Sequence, residues 1–134
     1  MSIKRIALIV VLLATVAGLS TGYYLFNKKV PSLENTQADF ELTANELFDA
    51  FNDDELASML KYEGKVIAVS GQVSSIKVSD STSNVTLHAD NALIGGINCS
   101  FNARVSDLKE GDEVTIKGRC QGILMDVILN NCVK

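Results

Sequence analysis

Four side chains in this 134-residue chain belong to types that readily do nucleophilic or metal chemistry: His88, Cys99, Cys120 and Cys132. A zinc site wants three or four His or Cys ligands, often at short spacings such as C-x-x-C. The three cysteines are widely separated and no such spacing occurs. A cysteine nucleophile needs a base beside its thiol. His88 is the only histidine, and each cysteine falls in phase with core-type residues, so its thiol should point inward. Asp53-Asp54-Glu55 lacks the alternating ligands and the glycine of a calcium loop. The expectation is a non-enzymatic protein with no catalytic group, no metal and no cofactor.

These residues must be positioned by short strands, because the second half of the chain alternates with period two. In Val66 to Val78, Ile67, Val69, Gly71 and Val73 share a face, and the phase then shifts so that Ile76 and Val78 continue it. A shift at Ser74-Ser75 predicts a bulge or sharp bend. Asp80-Ser81-Thr82-Ser83 is a turn signal. Val85, Leu87 and Ala89 then alternate with Thr86 and His88. Gly95-Gly96 precedes Ile97, Cys99 and Phe101, which alternate with Asn98, Ser100 and Asn102. Residues 105–108 form a connection, with a turn at Glu110-Gly111-Asp112. Val114, Ile116, Gly118 and Cys120 alternate next, and a last apolar strand covers residues 124–133. A long bent strand, two short strands, a connection and a closing pair predict a mainly β fold. The expected form is a five-stranded Greek-key OB barrel over residues 64–134.

A helical segment should precede the barrel. Thr43-Ala44-Asn45-Glu46 has the form of a capping box, with Leu42 and Leu47 at the staple positions. Leu47, Phe48 and Phe51 make an apolar stripe that Leu56, Met59 and Leu60 extend to about Tyr62. Leu47, Phe48, Phe51, Leu56 and Leu60 are expected to pack on the barrel. Asn52-Asp53-Asp54-Glu55 reads as a second helix start, and Gly64 as a stop. Residues 30–63 carry nine acids and one base, whereas residues 64–134 carry seven of each. The net charge of −4 therefore comes from the linker and helix, not from the barrel. That balance excludes a basic protein that coats nucleic acid.

Upstream, Lys4 and Arg5 precede residues 6–26, a stretch without charge and long enough to span a bilayer as a helix. Tyr23, Tyr24 and Phe26 sit at the interfacial position, followed by Lys28 and Lys29. The rival reading is a cleaved signal, for which the small-residue pairs Thr15/Ala17 and Ser20/Gly22 would serve. No cysteine precedes Cys99, so a lipoprotein signal is not expected. The chain thus divides into an anchor or signal segment (1–29), a flexible linker (30–38), and a domain (39–134) that opens with the acidic helix. The short N-terminal tail favours a domain outside the cytoplasm. With cleavage it would be secreted or periplasmic.

Three segments carry a family resemblance: 64–73, 108–118 with its Leu-x-x-Gly-Asp-x-Val-x-Ile-x-Gly pattern, and 122–132. Together they resemble the tRNA_anti-like family of bacterial OB-fold proteins, whose members often carry an N-terminal membrane segment. OB-folds bind on the face of their second and third strands and on flanking loops. Here that face offers Thr86, His88, Asn98, Ser100 and Asn102. The loops offer Lys77, Ser79, Asp80, Ser81 and residues 121–126. Lys65, Lys77, Lys117 and Arg119 are a candidate basic patch. Single-strand binding usually adds aromatic platforms, but from Gly64 onward the only aromatic is Phe101, phased inward. The favoured reading is an envelope binding module for a protein, peptide or glycan. An oligonucleotide-binding module and a structural part of an envelope assembly are the alternatives. In an oxidising compartment one disulfide is expected. Cys120–Cys132, on successive strands, is the first choice, and Cys99–Cys132, on neighbouring barrel strands, the second.

Overall fold

The computed structural model describes residues 1–29 and 31–134 and contains two compact units, Met1–Pro31 and Ser32–Lys134. The first unit is helix α1 (Ile3–Asn27), with no buried residue and a mean hydropathy of 2.1 over its best window. By length and composition it can cross a membrane.

The second unit holds β1 (Phe40–Thr43), α2 (Ala44–Asp53), α3 (Glu55–Tyr62), β2 (Val66–Val78), β3 (Ser83–His88), β4 (Gly96–Phe101), β5 (Glu113–Ile123) and β6 (Val127–Val133). Strands β2 to β6 close a five-stranded barrel in the order β2-β3-β4-β6-β5, with β5 returning to β2. The closure works because β2 is long and bent. Val66 to Gln72 pairs with β5, while the stretch from Val73 to Val78 pairs with β3. The register slips between Val73 and Ser75, at the bulge the alternation predicts. The sixth strand, β1, was not expected. It runs parallel to β2, Phe40 beside Ile67 through Thr43 beside Ser70, and covers the part of that edge β3 does not reach. Asp39 fixes its start, donating its N–H to the Val66 carbonyl (2.7 Å) and accepting the Val66 N–H on its carboxylate (2.9 Å).

The capping box forms: Glu46 donates its N–H to the Thr43 hydroxyl (3.1 Å), and Thr43 donates its own to the Glu46 carboxylate (2.8 Å). Helix α2 buries Leu47, Phe48 and Phe51 in the core, touching β1, β2, β3, β4 and β6. It acts as a plug in the barrel. Asp54 ends α2 and caps α3, its carboxylate accepting the Ala57 N–H (3.0 Å).

The expectation for Leu56 and Leu60 requires correction. They are 72% and 82% exposed. The row that turns inward is Ser58, Met59 and Tyr62. Two contacts select it. The Ser58 hydroxyl donates to the Ala50 carbonyl (2.6 Å), and the Tyr62 ring meets Phe40 edge-on at 5.0 Å and Phe51 at 6.0 Å. An aromatic of that size outcompetes leucines one turn away.

The segment read as a flexible linker is also partly docked. Leu33 is 3% exposed, and the carbonyls of Glu34 and Thr36 accept from the Lys117 ammonium (3.2 and 2.6 Å).

Because Thr43 both ends β1 and caps α2, Thr43→Ala should lower stability by about 1 kcal/mol in urea unfolding. Leu56→Ser and Leu60→Ser should leave the midpoint nearly unchanged.

Candidate functional site

Apart from buried Ser83, whose hydroxyl accepts the Val105 N–H (2.9 Å), strands β3 and β4 turn their polar residues outward as the alternation requires. Thr86 stands beside Asn98 and Asn84 beside Ser100. The Ser100 hydroxyl donates to the Asn84 amide oxygen (2.8 Å), and the Asn102 amide donates to that of Asn131 (3.0 Å). Four expected residues, Thr86, Asn98, Ser100 and Asn102, thus lie in one polar row, and Asn84 joins them unforeseen. On its other side Asn84 faces Lys77, and Asn98 faces Ile128 of β6. The Asn98 amide oxygen is buried without a hydrogen-bond partner among the described residues.

His88 belongs to a neighbouring cleft of about 330 Å³, together with Thr43, Asn45, Ser70, Asp90 and Glu113. Its Nε2 lies 3.2 Å from the Asp90 carboxylate, with half the imidazole side chain exposed. Asn45 clips the β3–β4 loop to α2, accepting the Asp90 N–H (2.7 Å) and donating to its carboxylate (2.9 Å). The Asn91 amide donates to Asp49 (2.7 Å) and repeats the clip. The cleft is therefore a well-braced seam.

The loops beside the polar row carry residues that alternation could not flag. Leu93 and Ile94 in the β3–β4 loop, and Leu124 and Met125 in the β5–β6 turn, are strongly exposed. The two loops touch, because Asp126 accepts the Gly96 N–H (3.0 Å). Gly95, at φ +83°, lies so close that a Cβ there would sit 1.7 Å from the Asp126 carboxylate. A larger residue there would have to displace the Asp126 carboxylate that accepts the Gly96 N–H.

The four bases do not form one patch. Lys77 faces Asn84 near the far end of β2, while Lys117 and Arg119 pair with Ala68 and Val66 near its start, next to Lys65. Two of them are engaged. Lys117 holds Glu34 and Thr36, and Arg119 donates to the Gly64 carbonyl (2.6 Å). Phe101 is buried, as its phase predicts.

The tRNA_anti-like family model matches residues 1–134. The chain belongs to the tRNA_anti-like family. Its barrel is the OB-fold of that family. No curated protein matches the chain. Among solved structures, it is similar to a Klebsiella pneumoniae subsp. pneumoniae protein described as a candidate nucleic acid-binding lipoprotein. The identity is 17%, the TM-score 0.53, and the likeness covers 70% of this chain and 91% of that one. At that identity the likeness concerns the fold.

All three cysteines of this tRNA_anti-like domain are buried free thiols. The first-choice pair is not brought together. Cys120 is in register with Leu129, and Cys132 packs against Gly118, where an added Cβ would lie 2.5 Å from its sulfur. Cys132 lies three residues beyond the register partner of Cys120, across the slip in the β5–β6 ladder, so the two are not cross-strand partners. The Cys132 thiol beside Cys99 first, then burial, pushes the Cys99 thiol well above its ordinary range. Burial also raises the Cys120 thiol, against a lowering hydrogen bond from the Gly122 backbone.

A thiol that titrates higher in the fold keeps its proton after the unfolded chain has lost it. The associated stability is complete below the ordinary thiol pKa of about 8.5 and declines as pH rises beyond it. In reductant, the domain should lose stability on the alkaline side. Cys99→Ala should flatten that decline, measured as the urea midpoint against pH.

Proposed function

We propose that this protein is a non-catalytic OB-fold binding module, held at the cell envelope by α1 with its domain outside the cytoplasm. Its ligand is a protein or peptide segment. The observation that carries this reading is the composition of the outer face. A row of Asn, Ser and Thr side chains suits backbone-like hydrogen bonding. It is bordered by exposed Leu93, Ile94, Leu124 and Met125, which supply apolar contact area. Such a mixture matches the polar and apolar make-up of protein interfaces. Glycans share the polar requirement but usually stack on aromatic rings, and the one aromatic of the barrel strands lies inside.

A second reading, oligonucleotide binding, is favoured by the description of the Klebsiella protein. Against it, single-strand sites combine stacking rings with a basic groove. Here Lys117 and Arg119 already serve backbone carbonyls.

Anchoring by α1 rests on its charge-free length.

Replacing Ile94 by a photocrosslinking residue in the full-length protein, in intact cells, tests the proposal. The expected product is a discrete protein adduct that survives nuclease. It should disappear when Leu93→Ser and Leu124→Ser are combined, with the melting temperature unchanged. A nuclease-sensitive adduct would support the second reading and contradict the first.

A further inference from the structure

Three inward thiols sit in one small barrel, and strand register separates them into a pair and a single. Cys99 lies on β4 with Leu129 of β6 as its partner across a parallel ladder. Cys132 follows Leu129 by three residues within β6, which bulges where its register with β5 slips between Lys117 and Arg119. Asn131 adopts φ +53°, the left-handed region that an L residue rarely enters. That bulge brings Cys132 to the inner face, where its thiol donates to the Leu129 carbonyl at 3.3 Å. The same carbonyl belongs to the residue beside Cys99. Gly118 makes the position available, because any side chain there would occupy the space of the Cys132 sulfur. Cys120 faces Leu129 from the opposite strand, β5.

We propose that Cys99 and Cys132 are a disulfide-forming pair that joins β4 to the end of β6, and that Cys120 is a buried free thiol outside it. The mechanical sense follows from the ladder. Registered pairing between β4 and β6 runs only from Ile97 to Cys99 and from Val127 to Leu129. Beyond it the backbone ladder of β6 is with β5 alone among the described residues, and the reach across to the β4 side is by the Asn102–Asn131 side-chain bond. A bond at Cys132 extends the closure past the point where the ladder stops.

Both thiols are buried in the finished fold, so the exchange belongs to folding. One thiolate attacks a small-molecule or protein disulfide, giving a mixed disulfide and releasing one thiol. The second thiolate then displaces the other. Two protein thiols become one disulfide, the donor disulfide becomes two thiols, and the protons move to the departing sulfurs. Occurrence in the cell rests on the outward-facing domain proposed above, whereas the choice of pair rests on the barrel alone.

The test therefore has two arms. In the first, full-length protein in detergent is unfolded, reduced and refolded in a glutathione buffer rich in oxidised glutathione. It is then unfolded with an alkylating reagent and mapped by mass spectrometry. The expected product is lighter by two hydrogens before alkylation, carries one alkyl group at Cys120, and yields a Cys99–Cys132 linked peptide. Cys120→Ser should form the same link, Cys132→Ser should form none, and reduction should lower the melting temperature. Three alkylated cysteines, or a link through Cys120, would overturn the pair. In the second arm, protein extracted from cells is trapped directly with the alkylating reagent. The same link supports the pair in the cell. Three free thiols there, after success in the first arm, would instead overturn the outward-facing domain.

Discussion

The fold depends on the edges of β2. This strand is 13 residues long, and no single neighbour satisfies its backbone groups. Unpaired N–H and C=O groups in a covered position cost free energy comparable to a lost hydrogen bond. β5 takes one edge of the first half, β3 takes the other edge of the second half, and β1 takes what β3 leaves. The bulge between Val73 and Ser75 lets one strand serve both sides of a closed barrel. From β1 the chain passes directly into α2 at Thr43, which aims Leu47, Phe48 and Phe51 at the barrel interior. Edge satisfaction and core filling are thus parts of one arrangement. The outer face of β3 and β4 stands on the other side of those strands from this filling.

Much of this is legible in the sequence because period-two alternation survives in every long strand. The bulge shows as a phase shift at Ser74-Ser75, the capping box as Thr43 and Glu46, and the polar row as Thr86, Asn98, Ser100 and Asn102. Features that depend on tertiary competition are not legible. β1 is four residues long and its last member doubles as a helix cap, so it leaves no periodic signal. Leu56 and Leu60 look like core residues until Tyr62 and Ser58 find partners in Phe40 and Ala50. Lys117 reads as a free cation, but its partners are backbone carbonyls more than eighty positions away. The cysteines could be assigned to strands, yet the placement of Cys132 involves a bulge with Asn131 in the left-handed region, which composition does not announce.

The surface chemistry connects these points to function. Cations bound to the protein's own carbonyls contribute little to a phosphate groove, and an inward Phe101 offers no stacking platform. What faces solvent instead is a hydrogen-bonding row beside aliphatic loops. Those loops are kept together by the Asp126–Gly96 contact and by the clips from Asn45 and Asp49. A braced surface of that kind loses little entropy when a partner docks. The family relationship establishes the barrel, and the protein- or peptide-binding reading proposed above rests on the side chains of its outer face.

The most direct measurement of this account is a fluorescence-anisotropy titration of full-length protein in detergent with labelled single-stranded DNA and RNA, repeated across salt concentrations. The account predicts no saturable binding even at low salt, because Lys117 and Arg119 serve backbone carbonyls, Lys77 stands apart from them, and Phe101 is buried. Tight binding that weakens steeply as salt rises would contradict it, since that dependence reports phosphate contacts.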